Sequence, residues 1–279
     1  MTLLEVLRST TDYFTRRGIE NPRLNAELLL AHVLGRKRIE LYLGFEEALS
    51  ETKLTPIRDL VRRRGTGEPL QHLIGTVEFC GREFLCDKRG LVPRPETEEL
   101  VALISKSEFP SAQFRLIDIG TGSGVIAISL ALHFPEASVH AIDLSDDALA
   151  LARENSERLG VSKRIQFMKG DFSHSDVGRF DLVVANLPYV GRRDRGTLSR
   201  EVLHDPDIAV FGGEIGDELI RALIAGATRM LEPNGLLALE IGLGQSDDLL
   251  SLLREKNYHD IEAKNDYSGI TRFLLARYG

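Results

Sequence analysis

Residues 114–124 read Phe114-Arg115-Leu116-Ile117-Asp118-Ile119-Gly120-Thr121-Gly122-Ser123-Gly124. The apolar residues predict a buried strand over 114–119, and the apolar run 125–133 predicts a helix directly after the glycines. Glycines let the backbone turn sharply and approach a ligand, and the first turn of a helix presents unpaired N–H groups to it. The order of strand, glycine loop and helix therefore predicts a ligand-binding turn in an α/β sheet.

A nicotinamide-dinucleotide loop is the main alternative for these glycines. Its fingerprint needs Gly or Ala three residues after the second glycine, where this chain has Val125. It also has no acid two residues before the first glycine, where this chain has Asp118. The pattern Asp-x-Gly-x-Gly-x-Gly instead resembles the first motif of class I methyltransferases that use S-adenosylmethionine. The resemblance implies that Asp118 suits the cationic methionine end of that cofactor.

Two further strand ends carry candidate ligand-binding side chains. A strand over 138–142 ends in Asp143, whose carboxylate oxygens can hold both hydroxyls of a ribose. The alternative is that Asp143 or Ser145 caps a helix over 146–159. A strand over 165–168 leads to Gly170-Asp171-Phe172, which resembles the place where an acid and an aromatic ring frame the adenine in methyltransferases. Core packing is the alternative role for Phe172.

The run Asp181-Leu182-Val183-Val184-Ala185-Asn186-Leu187-Pro188-Tyr189 is an apolar strand that ends in an amide, a proline and an aromatic ring. The Asn186 oxygen can accept a hydrogen bond from an NH2 group, the Pro188 region offers a backbone carbonyl, and Tyr189 can stack on a flat target. An ordinary turn after a strand is the alternative, because Asn and Pro are common turn residues. Together with the glycine loop, this tetrapeptide predicts a methyltransferase site for a planar nitrogen.

The remaining pattern predicts an α/β fold of two parts. Helices over 217–231 and 245–256 alternate with a strand over 235–241, and two β runs over 259–264 and 271–278 close a doubly wound sheet. The first seventy residues carry helical apolar stripes and no strand signal, and a hairpin turning near Gly81 follows them. We predict a helical substrate-recognition domain at 1–75, a hairpin linker at 76–98 and the methyltransferase domain at 99–279.

Composition restricts the function class. The net charge is −7, and residues 1–76 carry twelve Lys and Arg against ten Asp and Glu, so neither part has the basic surface that direct nucleic-acid binding requires. The cluster at 62–64 is interpreted as the solvated end of a helix. No membrane-spanning run or secretory signal is recognised, which predicts a cytoplasmic protein. Cys80 and Cys86 suggest reduced structural thiols, and we predict no metal.

Several segments together resemble the bacterial release factor glutamine methyltransferase family over nearly the whole chain. They are Arg62-Arg63, Gly67-Glu68-Pro69-Leu70-Gln71, Gly75, Phe79, Gly81, Phe84, Val92-Pro93-Arg94-Pro95-Glu96-Thr97-Glu98, Asn186 to Tyr189, Glu201-Val202, Asp205-Pro206, Ala209-Val210-Phe211-Gly212-Gly213 and Gly216. The resemblance implies the class I, Rossmann-like methyltransferase fold with a small N-terminal helical domain.

The resemblance also implies the reaction and its residues. The methyl group of S-adenosylmethionine would pass to the side-chain nitrogen of the glutamine in the Gly-Gly-Gln motif of class-one peptide chain release factors, leaving N5-methylglutamine and S-adenosylhomocysteine. The catalytic and substrate-binding residues would be Asn186, Leu187, Pro188 and Tyr189. The cofactor would be held by Gly120, Thr121, Gly122, Ser123, Gly124, Asp143, Phe172 and Asn186. We expect a monomer whose partner is the release factor.

One departure keeps two alternatives open. The family usually has Asn-Pro-Pro-Tyr, and Leu187 stands in place of the first proline, which restores an N–H and leaves the backbone carbonyls in place. Asn-Leu-Pro-Tyr also resembles the tetrapeptide of ribosomal RNA adenine dimethylases, which carry their helical domain after the catalytic one. An RNA adenine N6-methyltransferase is therefore the first alternative, and a methyltransferase for glutamine of another protein is the second.

Overall fold

The computed structural model describes residues 1–172 and 178–279. Its described residues divide into two compact units, one of residues 1–76 with 199–204 and the other of residues 77–198 with 205–279. The sequence did not predict that residues 199–204 belong to the first unit. The hairpin predicted as a linker begins at the last residue of the first unit and otherwise belongs to the second.

The first unit is helical, as the apolar stripes predicted. Its helices are α1 (Leu3–Arg17), α2 (Pro22–Leu34), α3 (Arg38–Leu41), α4 (Glu51–Gly65) and α5 (Leu70–Ile74). Thr2 and Glu5 form a reciprocal capping box at the start of α1, and Gly18 ends that helix in the left-handed conformation, with φ at 72°. Leu3, Phe14 and Leu30 are fully buried in a core that α1, α2 and α4 share.

The second unit begins with the hairpin and a helix. Strands β1 (Thr76–Phe79) and β2 (Arg82–Leu85) pair with each other, and helix α6 (Pro95–Ile104) follows them. Cys80 and Gly81 form the turn with φ values of 48° and 68°, so the turn falls where the sequence predicted it. Phe79 and Phe84 pack edge to face in the core of this unit, with ring centroids 5.9 Å apart.

The rest of the second unit alternates strands and helices. The elements are β3 (Arg115–Ile119), α7 (Val125–His133), β4 (Ser138–Asp143), α8 (Asp146–Arg158), β5 (Ile165–Lys169), β6 (Phe180–Ala185), β7 (Val190–Gly191), α9 (Asp207–Val210), β8 (Phe211–Gly213), α10 (Glu218–Met230), β9 (Leu231–Glu240), α11 (Ser246–Glu255), β10 (Tyr258–Asn265) and β11 (Thr271–Tyr278).

Within residues 1–172 and 178–279, seven strands form the main sheet in the order β10-β11-β9-β6-β3-β4-β5. The run from β9 to β5 is parallel, and β11 lies antiparallel between β9 and β10. An apolar core lies on each face of the sheet. This is the doubly wound α/β fold that the sequence predicted.

Some element bounds differ from the predicted ones. The helix predicted over 217–231 is Glu218–Met230, and the strand predicted over 235–241 already begins at Leu231. It passes through Pro233 and through Asn234, whose φ is 66°, although both are residue types common in turns. The short strands β7 and β8 pair in parallel and were not predicted, because each has only two or three residues and contains glycine.

Candidate active site

A cavity of about 670 Å³ opens in the second unit at the carboxyl ends of the parallel strands. Its volume lies within the range of small-molecule and cofactor sites. The lining includes most of the residues predicted from sequence: Gly120, Thr121, Gly122, Ser123, Asp143, Phe172, Asn186, Leu187 and Pro188. Gly124 and Tyr189 do not line it within the part of the chain that the structure describes.

The glycine loop between β3 and α7 is held by its own backbone and by its neighbour strand. The N–H groups of Gly120 and Thr121 both donate to the Ile142 carbonyl, at 2.9 and 3.0 Å. Gly120 has a φ of 70°, and a Cβ there would lie 2.8 Å from Leu187 Cδ2. The left-handed φ therefore favours glycine at this position, and Leu187 packs against the loop with 5% of its surface exposed.

The Asp118 side chain is hydrogen-bonded to the glycine loop and to the start of α7. Its carboxyl group is fully buried and accepts hydrogen bonds from the Thr121 hydroxyl at 2.7 Å and the Ala127 N–H at 3.1 Å. Burial raises the pKa of Asp118 to about 7. Asp118 is not among the described residues that line the cavity, and its Oδ1 is buried without a hydrogen-bond partner in the described part of the chain. Its implied role toward the methionine end of the cofactor stays a prediction.

Asp143 ends β4 and faces the cavity. Its Oδ2 accepts from the Gly122 N–H at 2.8 Å and its Oδ1 from the Ser145 N–H at 2.9 Å. The helix cap is Ser145, whose hydroxyl accepts from the Ala148 N–H at 3.2 Å. Two backbone donors thus fix the Asp143 carboxylate at the cavity wall, and each oxygen keeps a lone pair for a ligand hydroxyl.

Asn186 directly follows β6, and its amide has a fixed orientation. Its Nδ2 donates to Thr97 Oγ1 at 3.0 Å, and the Thr97 hydroxyl donates to Glu240 Oε2 at 2.7 Å. Thr97 and Glu240 are 3% and 1% exposed. Because Nδ2 is engaged with Thr97, the Asn186 Oδ1 is the atom available to accept from a ligand.

Of the two residues after Leu187, Pro188 lines the cavity and Tyr189 packs against the core. A Cβ added to Gly212 would lie 2.1 Å from the Pro188 carbonyl oxygen, so that carbonyl packs tightly against the Gly212 backbone. Tyr189 is mostly buried against the core on one face of the sheet, and burial raises its pKa to about 12. Among the described residues, no donor is hydrogen-bonded to the backbone carbonyl of Leu187, the residue after Asn186. This carbonyl is therefore available to accept a hydrogen bond from a ligand.

Three residues of this region had no individual role predicted from the sequence. Thr97 and Arg94 were recognised in the Pro-Arg-Pro-Glu-Thr-Glu segment without a role, and Glu240 was not recognised at all. Arg94 lines the cavity and pairs with buried Asp205, with Nη2 3.2 Å from Oδ2. An acid at the carboxyl end of the apolar strand β9 was the signal that could have identified Glu240.

Cys80 and Cys86 are free, and burial raises the pKa of both, that of Cys86 to about 12. Residues 1–172 and 178–279 contain no group of three or more His, Cys, Asp or Glu side chains that could hold a metal ion. Among the helices of these same residues, none has the length and apolar character that spanning a bilayer requires.

Comparison with known proteins identifies both units. Residues 5–75 match the family described as PrmC N-terminal domain, and residues 110–269 match the family described as methyltransferase domain. The release factor glutamine methyltransferase of Nitratidesulfovibrio vulgaris is 38% identical, over 99% of this chain and 95% of that protein. The protein of the same name from Deinococcus radiodurans is 39% identical, over 99% of each chain.

A solved structure confirms the fold independently. The methyltransferase from Pyrococcus furiosus superposes with a TM-score of 0.52 at 20% identity, over 72% of this chain and 90% of that one. The predicted fold class is therefore confirmed, and so is the family resemblance drawn from the motifs.

Proposed function

The chain belongs to the release factor glutamine methyltransferase family, and from this premise we propose that it transfers the methyl group of S-adenosylmethionine to the side-chain nitrogen of a glutamine in a peptide chain release factor. The products are N5-methylglutamine and S-adenosylhomocysteine. The observation that carries the proposal is the fixed Asn186 amide, which presents an oxygen acceptor at the wall of a cofactor-sized cavity.

The cavity fits S-adenosylmethionine by the chemistry of its lining. The glycine loop brings backbone N–H groups and a close backbone approach to one wall, suited to the methionine end. Asp143 offers carboxylate oxygens to ribose hydroxyls, and Phe172 offers an apolar ring for the adenine. When bound, this cofactor supplies the electrophilic methyl group.

Asn186 and the neighbouring backbone would activate the acceptor nitrogen. An amide nitrogen is a poor nucleophile because its lone pair is delocalised into the carbonyl. Asn186 Oδ1 and the Leu187 carbonyl can each accept one amide hydrogen, which orients the nitrogen toward the methyl group and stabilises the positive charge that develops. Leu187 keeps this carbonyl as proline would. The position of Tyr189 supports a role in packing behind the tetrapeptide more than direct stacking on glutamine.

The proton leaving the nitrogen needs no strong base. The amide nitrogen gains positive charge as the carbon–nitrogen bond forms, so its N–H becomes acidic. Transfer of that proton to an acceptor already hydrogen-bonded to it is therefore sufficient. Burial raises the pKa of Tyr189 to about 12, so its phenol stays neutral at physiological pH and is unsuited to act as a base.

The helical unit is proposed to bind the release factor. Ile39 and Leu43 are 70% and 89% exposed there, which supports a protein-binding surface. A substrate of the translation machinery would place the reaction in the cytoplasm. Action as a monomer stays a prediction.

The test is methyl transfer from labelled S-adenosylmethionine to three substrates. These are a purified release factor, the same factor with its Gly-Gly-Gln glutamine replaced by alanine, and ribosomal RNA. One added methyl group on the first substrate only, located at that glutamine by mass spectrometry, is the expected result. Label on adenine of the RNA would establish the adenine N6 alternative, and label on the alanine-substituted factor would move the site to another residue.

A further inference from the structure

We propose that Thr97 and Glu240 are positioning residues that fix the Asn186 side chain with its oxygen toward the substrate amide. Neither residue is required to contact substrate or cofactor in this role, although Thr97 borders the cavity. The inference rests on the proposed function for its kinetic consequence, because it assigns to Asn186 the task of accepting an amide hydrogen.

The direction of the hydrogen bonds follows from the donors available. A carboxylate is an acceptor only, a threonine hydroxyl has one hydrogen, and an asparagine amide has a donor end and an acceptor end. With Glu240 ionised, the Thr97 hydroxyl gives its hydrogen to Glu240, and Thr97 Oγ1 can then only accept from Asn186. The series therefore runs from Asn186 to Thr97 to Glu240 and leaves Asn186 Oδ1 for the substrate.

The opposite orientation of Asn186 would be unproductive. It would place an NH2 group against the NH2 group of glutamine, so that two donors face each other and neither amide hydrogen is accepted. An asparagine side chain has two nearly isosteric orientations, and sterics alone do not select one. The hydrogen bonds to Thr97 and Glu240 select the productive orientation, because both of these residues are buried and hold their partners without competition from water.

The supporting residues come from distant parts of the chain. Thr97 is in the first turn of α6, and Glu240 is the last residue of β9, 143 positions further on. Burying an acid is costly unless it is hydrogen-bonded, and Glu240 is almost completely buried beside the tetrapeptide. Besides Thr97, the groups that face it are Glu96 of α6, Arg272 of β11, Tyr189 and the Asn186 amide itself, with Arg272 in turn 3.7 Å from Asp266.

Protonation of Glu240 would remove the preference for the productive orientation of the Asn186 amide. A neutral carboxyl group can donate to Thr97 Oγ1, and the Thr97 hydroxyl is then able to donate to Asn186 Oδ1 instead. Burial, together with the Glu96 charge, raises the pKa of Glu240 to about 7, against the opposing effects of the Thr97 hydrogen bond, the Arg272 charge and the Asn186 amide. We therefore expect kcat to rise with pH through this range, because ionised Glu240 holds the productive orientation.

The experiment compares Thr97→Val, Thr97→Ser and Thr228→Val. Valine keeps the shape of Thr97 and removes the hydroxyl, serine keeps the hydroxyl, and Thr228 is a control on α10 whose hydroxyl only bonds back to its own helix. Thr97→Val should lower kcat roughly ten- to a hundredfold, as expected for a misoriented reactant. The affinity for S-adenosylhomocysteine should stay within about threefold, a difference under about 0.7 kcal/mol. Thr97→Ser should restore most of kcat, and Thr228→Val should resemble the wild type.

Glu240→Gln provides the second kinetic readout. Glutamine keeps an acceptor oxygen for Thr97 and does not titrate, so the rise of kcat with pH should disappear. A purely structural role of Glu240 would lower kcat at every pH and leave the rise in place. Loss of kcat in Thr97→Val accompanied by an equal loss in Thr97→Ser would also overturn the proposal.

A spectroscopic measurement tests the Asn186–Thr97–Glu240 hydrogen-bond series independently of enzymatic activity. Side-chain NH2 signals of 15N-asparagine-labelled protein report the Nδ2 hydrogen bond, and Asn186→Ala assigns the signal. The Asn186 signal should exchange slowly with solvent and shift in Thr97→Val, with little change in Thr97→Ser or Thr228→Val. An Asn186 signal that Thr97→Val leaves unchanged would overturn the proposal that Thr97 holds the Asn186 amide. Absence of methyl transfer by the wild type would instead overturn the proposed function. The NMR result would still decide whether Thr97 and Glu240 fix the Asn186 side chain.

Discussion

At the scale of single residues, the site depends on side chains that hold other groups in place. Asp118 and Thr97 each engage a neighbour that lines the cavity, and both are buried. A buried group with one defined partner gives a precise geometry, because alternative partners and water are excluded. The chemistry predicted from the glycine loop and the tetrapeptide therefore relies on supporting hydrogen bonds, from Asp118 within the first motif and from Thr97 outside both.

The raised pKa of Asp118 gives an unusual pH dependence of stability. With a native pKa of about 7, above the ordinary value for aspartate, the native state binds more protons than the unfolded chain between about pH 4 and 7. Asp118 therefore lowers the stability as the pH rises through this window. We expect the melting temperature of the wild type, relative to Asp118→Asn, to fall between pH 5 and pH 7.5. A difference that stays constant or grows with pH would contradict this assignment.

The site residues show what a sequence reading can identify. Asn186 and Asp143 follow apolar strands, and such strands place their last residues at one edge of a sheet, so both could be located from the pattern. The Asn186–Thr97–Glu240 series joins positions 89 and 143 residues apart, and sequence spacing carries no signal for such contacts. Tyr189 is partly buried against the core, and its predicted contact with the substrate stays a prediction.

At the scale of elements, the strongest patterns gave the most accurate bounds. The helix predicted over 125–133 is α7 (Val125–His133), because glycine ends the preceding loop and an apolar run begins at once. The bounds of β9 were less accurate because its first residues include Pro233 and Asn234, which normally indicate a turn. Pairing with β6 and β11 decides the strand there, and pairing is not visible in local sequence.

Two glycines at helices should respond oppositely to alanine. Gly226 lies inside α10 with no heavy atom within 4 Å of an added Cβ, so Gly226→Ala should raise the free energy of unfolding by about 0.5–1 kcal/mol. Gly124, the N-cap of α7, has a φ of 83°, and a Cβ there would lie 3.0 Å from Ala152 Cβ. Gly124→Ala should be destabilising. Urea unfolding of both variants tests this, and destabilisation by Gly226→Ala would show that the helix surface is not open there.

At the scale of the whole chain, the segment 199–204 distinguishes this protein from a simple series of domains. It follows the tetrapeptide and β7 in sequence, belongs to the helical unit, and is succeeded by Asp205 and the residues that line the cavity. Within the helical unit, Glu201 pairs with Arg64, whose side chain is 3% exposed. Arg64 also donates to Asn25 Oδ1 at 2.7 Å and to the Glu68 carbonyl at 3.1 Å.

The interpretation of residues 62–64 as a solvated helix end is correct for Arg62 and wrong for Arg64. The side chain of Arg62 is 74% exposed, so these two neighbours form a matched pair of substitutions. Arg64→Ala removes charge-assisted hydrogen bonds inside the helical unit and should cost about 1.5–3 kcal/mol of unfolding free energy. Arg62→Ala should cost less than about 0.5 kcal/mol, as is typical of exposed positions. Equal losses in urea unfolding of the two variants would contradict the buried role of Arg64.

The central claim is that Asn186 accepts the amide hydrogen of the substrate glutamine, and Asn186→Ala tests it most directly. Single-turnover methylation of the release factor is measured beside S-adenosylhomocysteine affinity for the wild type and the variant. We predict that transfer falls by roughly a hundredfold or more, on the scale seen when a preorganised hydrogen-bonding partner is removed, while the cofactor product still binds within a few-fold. Unchanged transfer by Asn186→Ala would contradict the account.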